Sequence, residues 1–345
     1  MSKEFFSMAA GIGTKNGNGE WLEVFYPSPL FQPSADLVES VASIVGYKGG
    51  NTVITLDGAT CHALEELCMQ HTMLDHALIF SAFETSGRPC VLSILETDEA
   101  PQSTPEAYLK LHLISHRHVR PHGTNLDGIF PLLPNVAWTN EGAIDLNELP
   151  ARQLAARARG QLLDVQSVDK FPRMTNYVVP KGVRIAHTAR VRLGAYIGEG
   201  TTVMHEGFVN FNAGTEGKSM IEGRVSAGIW VGEGSDLGGG CSTMGTLSGG
   251  NDIVVSIGRN CLIGAEAGIN IPLGDCCTVA AGLYLTAGAK VTVLDKDKNP
   301  VEVVKAIELA GKSDLLFWRN SQTGAIECLA NKSAVKLNEE LHAHN

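Results

Sequence analysis

The stretch VPKGVRIAHTARVRLGAYIGEGTTVMHEGFV, Val179–Val209, decides the fold. Every sixth residue from its start is branched and aliphatic: Val179, Ile185, Val191, Ile197, Val203 and Val209. A period of six is neither the period of about 3.6 of an α-helix nor the period of about 2 of a strand. Six residues make one short strand and one tight corner, and three such sides close a triangular coil. The aliphatic residue points into the prism and stacks on its counterparts, while Gly and small residues occupy corners where a Cβ would clash. The pattern predicts a left-handed parallel β-helix of hexapeptide repeats.

The column resumes at Val225, Val231 and Leu237, then at Ile257, Ile263 and Ile269, and shifts frame to Leu273, Val279, Leu285 and Val291. Several members are followed by Gly, as in Ile197-Gly198, Leu237-Gly238 and Ile263-Gly264. Two interruptions, Asn210–Arg224 and Gly245–Ser256, read as Gly-rich loops leaving a rigid frame. A pure scaffold gains nothing from breaking its stack, whereas such loops carry binding groups and free backbone N–H donors.

Outward from the prism, the chain divides into an N-terminal α/β domain (1–140), a helical connector (141–178), the β-helix (179–294) and C-terminal strands with a helix (295–345). Helical spacing marks Ala35–Tyr47 and Ala59–Gln70, and apolar runs mark strands at Ala77–Phe83 and Cys90–Leu95. Thr104-Pro105-Glu106 reads as a helix start with Thr as N-cap. His112, His116, His118 and His122 read as a partly exposed helix end. Asp145–Gly160 is the helix of the connector. KAIELAG from Lys305 and LLFWRNS from Leu315 read as strands, and Ser333–His344 as an amphipathic helix.

The bulk composition fits a soluble, core-forming protein. Of 345 residues, 44% are hydrophobic and 19% charged, and the net charge is −10. That charge argues against nucleic acid as the partner, since phosphate backbones need a basic surface. No apolar run reaches the roughly 20 residues of a membrane span. The N-terminus carries no secretory pattern, so a cytoplasmic setting is expected. The eight cysteines form no CxxC pair and read as reduced, mostly buried thiols.

Several residues could carry chemistry. His187 and His205 are eighteen apart, one full turn, and should stack. The pair admits a zinc site, a catalytic base or a structural column; zinc lacks a third His ligand. Glu222, where the chain re-enters the coil beside Arg224, could take a proton from an attacking amine, or could form a surface salt bridge. Lys305, Arg319 and Trp318 could meet a phosphate-bearing adenine nucleotide.

The runs RVRLGAYIGEGTTVMHEGFVNFNAGT (Arg190–Thr215), MIEGRVSAGIWVGEGSDLGGG (Met220–Gly240) and MGTLSGG (Met244–Gly250) closely resemble the tetrahydrodipicolinate N-succinyltransferases. These are acyltransferases of the succinylase branch of bacterial diaminopimelate and lysine synthesis. The likeness is to the form with a longer N-terminal domain and covers at least residues 170–325. It implies a homotrimer, with succinyl-CoA in the groove between neighbouring prisms. The amine of an acyclic tetrahydrodipicolinate hydrate then attacks the thioester, giving N-succinyl-2-amino-6-oxopimelate and CoA. The motif carboxylate falls on Glu222, described either as a base or as the carrier of an acyl anhydride; direct amine attack favours the base. The matching glycine is Gly245, whose N–H could serve as oxyanion donor. CoA-contacting positions fall on Arg224, Gly239, Ser242, Ala265, Ala280, Ala281, Gly288 and Lys305, and on Trp318, Arg319, Asn320 and Ser321. The family's axial metal site uses an acidic pair. Glu206 matches one member and the other falls on Ala189, which cannot ligate, so Mg2+ there would rest on three converging Glu206 carboxylates. Two other readings stay open: a hexapeptide acetyltransferase using acetyl-CoA and the His column, and a non-catalytic β-helical scaffold.

Overall fold

The computed structural model describes residues 4–245 and 254–330. The expected Ser333–His344 helix and the centre of the second interruption lie outside them. The chain forms two compact units.

The first unit comprises residues up to His118, Gly123–Pro172 and Asn176–Val178. Its elements are β1 (Ser7–Lys15), β2 (Trp21–Phe25), β3 (Leu30–Phe31), α1 (Ala35–Val45), β4 (Thr52–Leu56), α2 (Gly58–Gln70), α3 (Leu74–Glu84), β5 (Cys90–Leu95) and α4 (Thr104–Ser115). They are followed by α5 (Ile129–Leu132), β6 (Val136–Thr139), β7 (Gly142–Asp145), α6 (Leu149–Ala158) and β8 (Val165–Asp169). The main sheet runs β2-β1-β5-β4, with β3 beside β1. Val38, Val41, Leu64, Phe80 and Phe83 from α1 to α3 share one core with Leu92 and Ile94 of β5.

α1 and α2 fall where periodicity put them, held by Ser34 and Asp57 as N-caps. The Ala77–Phe83 run is helix α3, not a strand: Ala77, Phe80 and Phe83 are buried at three-residue spacing. The N-cap of α4 is Ser103, not Thr104. Its Oγ accepts from Glu106 N at 3.4 Å and donates to Glu106 Oε1 at 3.0 Å, a reciprocal cap. The His-rich end of α4 is also less exposed than its polarity suggests. His112 is fully buried, its Nδ1 donating to Tyr108 O (2.7 Å) and its Nε2 accepting from Tyr26 N (3.2 Å), and burial pushes its pKa down to about 3. The connector 141–178 does hold α6, but it also carries the strands β7 and β8, both paired with β6, so a boundary at residue 140 cuts a hairpin.

The second unit comprises Val119–His122, Arg173–Thr175 and the chain from Val179. Parallel rungs stack column on column: Ile197 beside Thr215 and Val203 beside Ile221 at the eighteen residues of a full coil, Val209 beside Val225 and Ile269 beside Leu285 at sixteen, and Leu237 beside Ile263 at twenty-six. Nearly all these residues have no exposed surface. Val179 is the exception at the start; it is 69% exposed and lies outside the stack.

The first interruption is not a loop. Strands Ala213–Thr215, Ser219–Ile221 and Arg224–Val225 run through it in register. Thr215 stands in the aliphatic column, its hydroxyl 2.8 Å from that of Thr201, which donates to Gly217 O. The step from Ile221 to Val225 is four residues instead of six, so the corner at Glu222-Gly223 is tight. A Cβ on Gly223 would strike the Cys241 sulfur and carbonyl. The second interruption is a true insertion: Thr243 pairs with Ile269, and the next column residue after it is Ile257.

At the far end, Lys290–Leu294 pairs antiparallel with Pro300–Lys305. Leu315–Arg319 lies parallel to Thr278–Val279, setting Phe317 on Val279. KAIELAG is not a strand: Lys305 ends one, and Ala306–Leu309 is a 3-10 turn burying Ala306 and Leu309. Seven cysteines are buried and all eight are free; Cys276 is half-buried.

Candidate active site

The tight corner at Glu222 heads a ladder. Glu222 N donates to Leu237 O (2.8 Å), Gly238 N to Ile263 O (2.8 Å), Gly264 N to Val279 O (2.8 Å) and Ala280 N to Phe317 O (2.9 Å). Successive rungs of one corner therefore carry Glu222, then Gly238-Gly239, Gly264-Ala265, Ala280-Ala281 and Trp318-Arg319. At the usual strand spacing of about 4.8 Å, this edge is roughly 19 Å long. Its small residues are required by packing: a Cβ on Gly264 would stand 2.5 Å from Ala281 N. Gly239 differs, since a Cβ there would meet only Glu222 Oε2, at 3.6 Å. Gly240 turns the corner with φ +71°, and Glu266 turns it one rung on with φ +55°, a conformation disfavoured for a residue with a side chain.

An open cleft of about 880 Å3 surrounds the head of the ladder, its lining including Arg190, His205, Glu206, Glu222, Arg224 and Glu266. Glu222 is half-buried. Arg224 turns its Nε and NH2 onto Ser242 Oγ, at 3.2 and 3.1 Å. Cys241 lies beneath; burial first, then the Glu222 and Glu266 charges, push its thiol up to about 12 against the pull of Arg224. It stays protonated at neutral pH and cannot serve as an acyl-accepting thiolate.

His187 and His205 do stack, with ring centroids 5.2 Å apart. His205 Nδ1 faces Glu206 Oε1 at 3.3 Å. Among the described residues the one trio of close metal-type donors is His62, Glu65 and Glu84, in the other unit, so the zinc reading gains no third ligand. Glu206 does not fit Mg2+ either. Arg190 NH2 donates to its Oε2 (3.0 Å) and carbonyl (2.9 Å), and position 189 is Ala. Mg2+ requires several oxygen ligands in octahedral array, whereas this carboxylate already bears a guanidinium.

The remaining positions fall in two places. Trp318 to Ser321 close the ladder: Arg319 NH1 donates to Gly324 O and Asn320 Nδ2 to Glu327. Lys305 and Gly288 lie at another corner, where Ala306 N donates to Ala289 O and Ile307 N to Ala287 O. Gly245 is also away from Glu222. It lies over Ala227, with a Cβ position 3.0 Å from Ala227 O, at the opposite end of the side that Arg224 begins. That side is on the order of 10 Å long. Arg190 and Glu266 escaped the sequence reading; Arg190 was detectable only by stacking it one coil below Glu206.

The family described as tetrahydrodipicolinate N-succinyltransferase middle matches residues 133–173, and that described as hexapeptide repeat of succinyl-transferase matches 254–287. Relatives named 2,3,4,5-tetrahydropyridine-2,6-dicarboxylate N-succinyltransferase are 64% identical in Pseudomonas putida, over all of both chains, and 59% identical in Vibrio cholerae, over 99% of each. A crystal structure from Campylobacter jejuni, titled a 2,3,4,5-tetrahydropyridine-2-carboxylate N-succinyltransferase, superposes with TM-score 0.88 at 31% identity, covering 97% of this chain and 94% of that one. The prism is thus a left-handed β-helix preceded by an N-terminal domain, and the chain belongs to the tetrahydropyridine-dicarboxylate N-succinyltransferase family.

Proposed function

We propose that the protein transfers the succinyl group of succinyl-CoA to the amine of tetrahydrodipicolinate, in its acyclic amino-oxopimelate form, on the succinylase route to diaminopimelate and lysine. The observation that carries the site assignment is the ladder: a carboxylate at a tight corner, followed by an edge of Gly and Ala ending at Trp318. Small residues along about 19 Å leave room for an extended pantetheine arm, with the thioester at the Glu222 end. Trp318 and Arg319 then flank the adenine nucleotide, with Lys305 serving a phosphate.

In this reading Glu222 accepts the proton of the amine as its nitrogen attacks the thioester carbonyl. The C–N bond forms, the C–S bond breaks, and the proton passes to the departing CoA sulfur. The oxyanion of the tetrahedral intermediate needs a fixed N–H, which Gly245 supplies. Gly245 and Glu222 stand at different corners, so the Gly245 comes from a neighbouring prism of a homotrimer. A cytoplasmic setting is part of this proposal; no helix among the described residues is long and apolar enough to cross a membrane.

Purified protein with succinyl-CoA and 2-aminopimelate should release free thiol, and Glu222→Gln should keep CoA affinity while losing turnover by about 10²-fold or more. Thiol release only with acetyl-CoA and an amino sugar would replace this reading by the acetyltransferase one. Unaltered turnover of Glu222→Gln would remove the carboxylate from the mechanism.

A further inference from the structure

An amino dicarboxylate brings two negative charges into a cleft that already holds Glu206, Glu222 and Glu266. Recognition needs a cation with donors to spare. The lining offers two guanidiniums. Arg224 gives one N–H of Nε and one of NH2 to Ser242 Oγ, on the side of the ladder, and keeps as many spare donors as Arg190, but it falls on a position that the family resemblance gives to CoA. Arg190 is held differently. Both of its hydrogen bonds leave from NH2, to the carbonyl and the carboxylate of Glu206. Of the five guanidinium N–H groups, the three on Nε and NH1 have no partner among the described residues. The side chain is 38% exposed, so these donors are reachable from solvent.

The position is as suggestive as the valence. Met204 N donates to Ile221 O at 2.9 Å, so the His205-Glu206 corner lies one rung from the Glu222 corner. One rung is about 4.8 Å. A guanidinium anchored on Glu206 is therefore within the length of a seven-carbon amino dicarboxylate whose amine meets Glu222. Glu206 has its own support, Oε1 facing His205, whose ring packs on His187. The His column thus backs the carboxylate that holds the arginine.

We infer that Arg190 binds a carboxylate of the amino substrate and that Glu206 positions it. The inference rests on the succinyl-transfer reading above. It makes Arg190 a specificity residue, Glu206 a positioning residue, and the stacked histidines a brace for that pair. A substrate lacking one carboxylate should lose the benefit of Arg190, and Arg190 without its charge should lose the preference for the dicarboxylate.

The test compares wild type, Arg190→Gln, Glu206→Ala and Glu206→Gln by thiol release, varying succinyl-CoA and 2-aminopimelate separately. A second amine of equal length with one carboxylate serves as competitor. Arg190→Gln should raise KM for 2-aminopimelate roughly 100-fold, as loss of a charge-assisted contact does, with KM for succinyl-CoA within about 2-fold. Its preference for the dicarboxylate over the monocarboxylate should collapse. Glu206→Ala should raise the same KM, and Glu206→Gln, which still accepts a hydrogen bond, should restore most of it. Turnover by wild type with an unchanged amine KM and preference in Arg190→Gln would overturn the assignment while leaving succinyl transfer intact. Absence of wild-type turnover would overturn the transfer reading and this inference with it. Equal rises in both KM values, or a fall in kcat alone, would mark Arg190 as a purely structural residue and also overturn the assignment.

Discussion

Three consecutive glycines, Gly238, Gly239 and Gly240, sit on the rung above Glu222, and the structure gives each a different reason for being small. A Cβ on Gly238 would stand 2.8 Å from Ala265 N and 3.0 Å from Ile263 O. Both are backbone atoms of the next coil, which cannot yield without opening the stack; such overpacking costs about 1–3 kcal/mol. Gly240 needs its left-handed φ of +71°, and its Cβ position runs into the Glu266 carboxylate. Gly239 meets neither limit. Its Cβ position has one neighbour, Glu222 Oε2 at 3.6 Å, an ordinary contact, and its φ lies outside the left-handed region. Gly239→Ala should therefore leave stability unchanged or raise it by about 0.4–1 kcal/mol, through the narrower unfolded ensemble. If the thioester lies along this edge, however, the new methyl group stands between it and the Glu222 carboxylate. A displacement of the order of 1 Å costs about 10²-fold in rate, or about 2.7 kcal/mol of transition-state stabilisation. Thermal unfolding at fixed protein concentration and thiol-release kinetics should thus separate the variants: Gly238→Ala loses stability, while Gly239→Ala loses kcat/KM with its melting temperature intact. Gly239→Ala with kcat/KM within about 3-fold of wild type would refute the ladder as the acyl-CoA edge. Parallel losses of stability in both variants would refute the packing argument.

Other outcomes follow from charge and geometry. Hydrogen bonds from Arg259 at 2.7 and 2.8 Å, more than any other cause, hold the Glu216 carboxyl at about 2. Its folded pKa lies below the unfolded one, so its contribution is present above about pH 4.5 and lost as pH falls toward about 2. Glu216→Gln should flatten the acid limb of a stability-against-pH curve and cost on the order of 1 kcal/mol at pH 7, solvent screening of Arg259 and Arg120 keeping the figure small. Glu23 runs the other way: burial raises its pKa, with Thr14 Oγ1 donating at 2.6 Å and Tyr177 Oη at 3.2 Å. Stability from this group is full below the unfolded pKa and declines as pH rises through the folded one, so Glu23→Gln should be more stable than wild type at pH 8 and lose that advantage at pH 4, as read by urea titration. Finally, Glu222→Gln and Gly245→Pro, each inactive alone, should regain about a quarter of wild-type activity when co-refolded in equal amounts, because the proposed homotrimer, assembled at random, would pair an intact Glu222 with a neighbour's intact Gly245 at about one interface in four; no recovery would place both groups in one chain and overturn the proposed sharing of the site.

The prism was legible because its interior admits little but branched aliphatic residues, and six-residue spacing survives any solvent-side substitution. It was misread where the column holds Thr215, whose hydroxyl finds Thr201, and where a four-residue step at Glu222 breaks the count. Those two departures looked like a loop and proved to be continuous coil. Glu222 remained visible through the motif around it. Arg190 did not, since its partner is sixteen residues away and meets it only through coil stacking. In the first unit, the α3 run was ambiguous because a short apolar segment satisfies helix and strand alike. The histidines of α4 read as surface because polarity alone does not reveal that Tyr108 O and Tyr26 N satisfy His112.

The same stacking that makes the coil readable constrains how its site can be completed. Each rung is hydrogen-bonded to the rungs on either side, so a corner cannot swing across the prism without breaking a line of backbone bonds. Glu222 and Gly245 occupy opposite ends of one such side, and no rotamer of a glycine shortens that distance. A base on one corner and an oxyanion donor on the next therefore cannot address one carbonyl carbon from within one prism. If both take part, the donor must arrive on a second copy laid against the first, with the small-residue edge as the floor between them. On this argument the bare Gly and Ala ladder serves two surfaces at once: it leaves depth for the acyl chain, and it lets the neighbouring prism approach closely enough for its Gly245 N–H to reach the carbonyl.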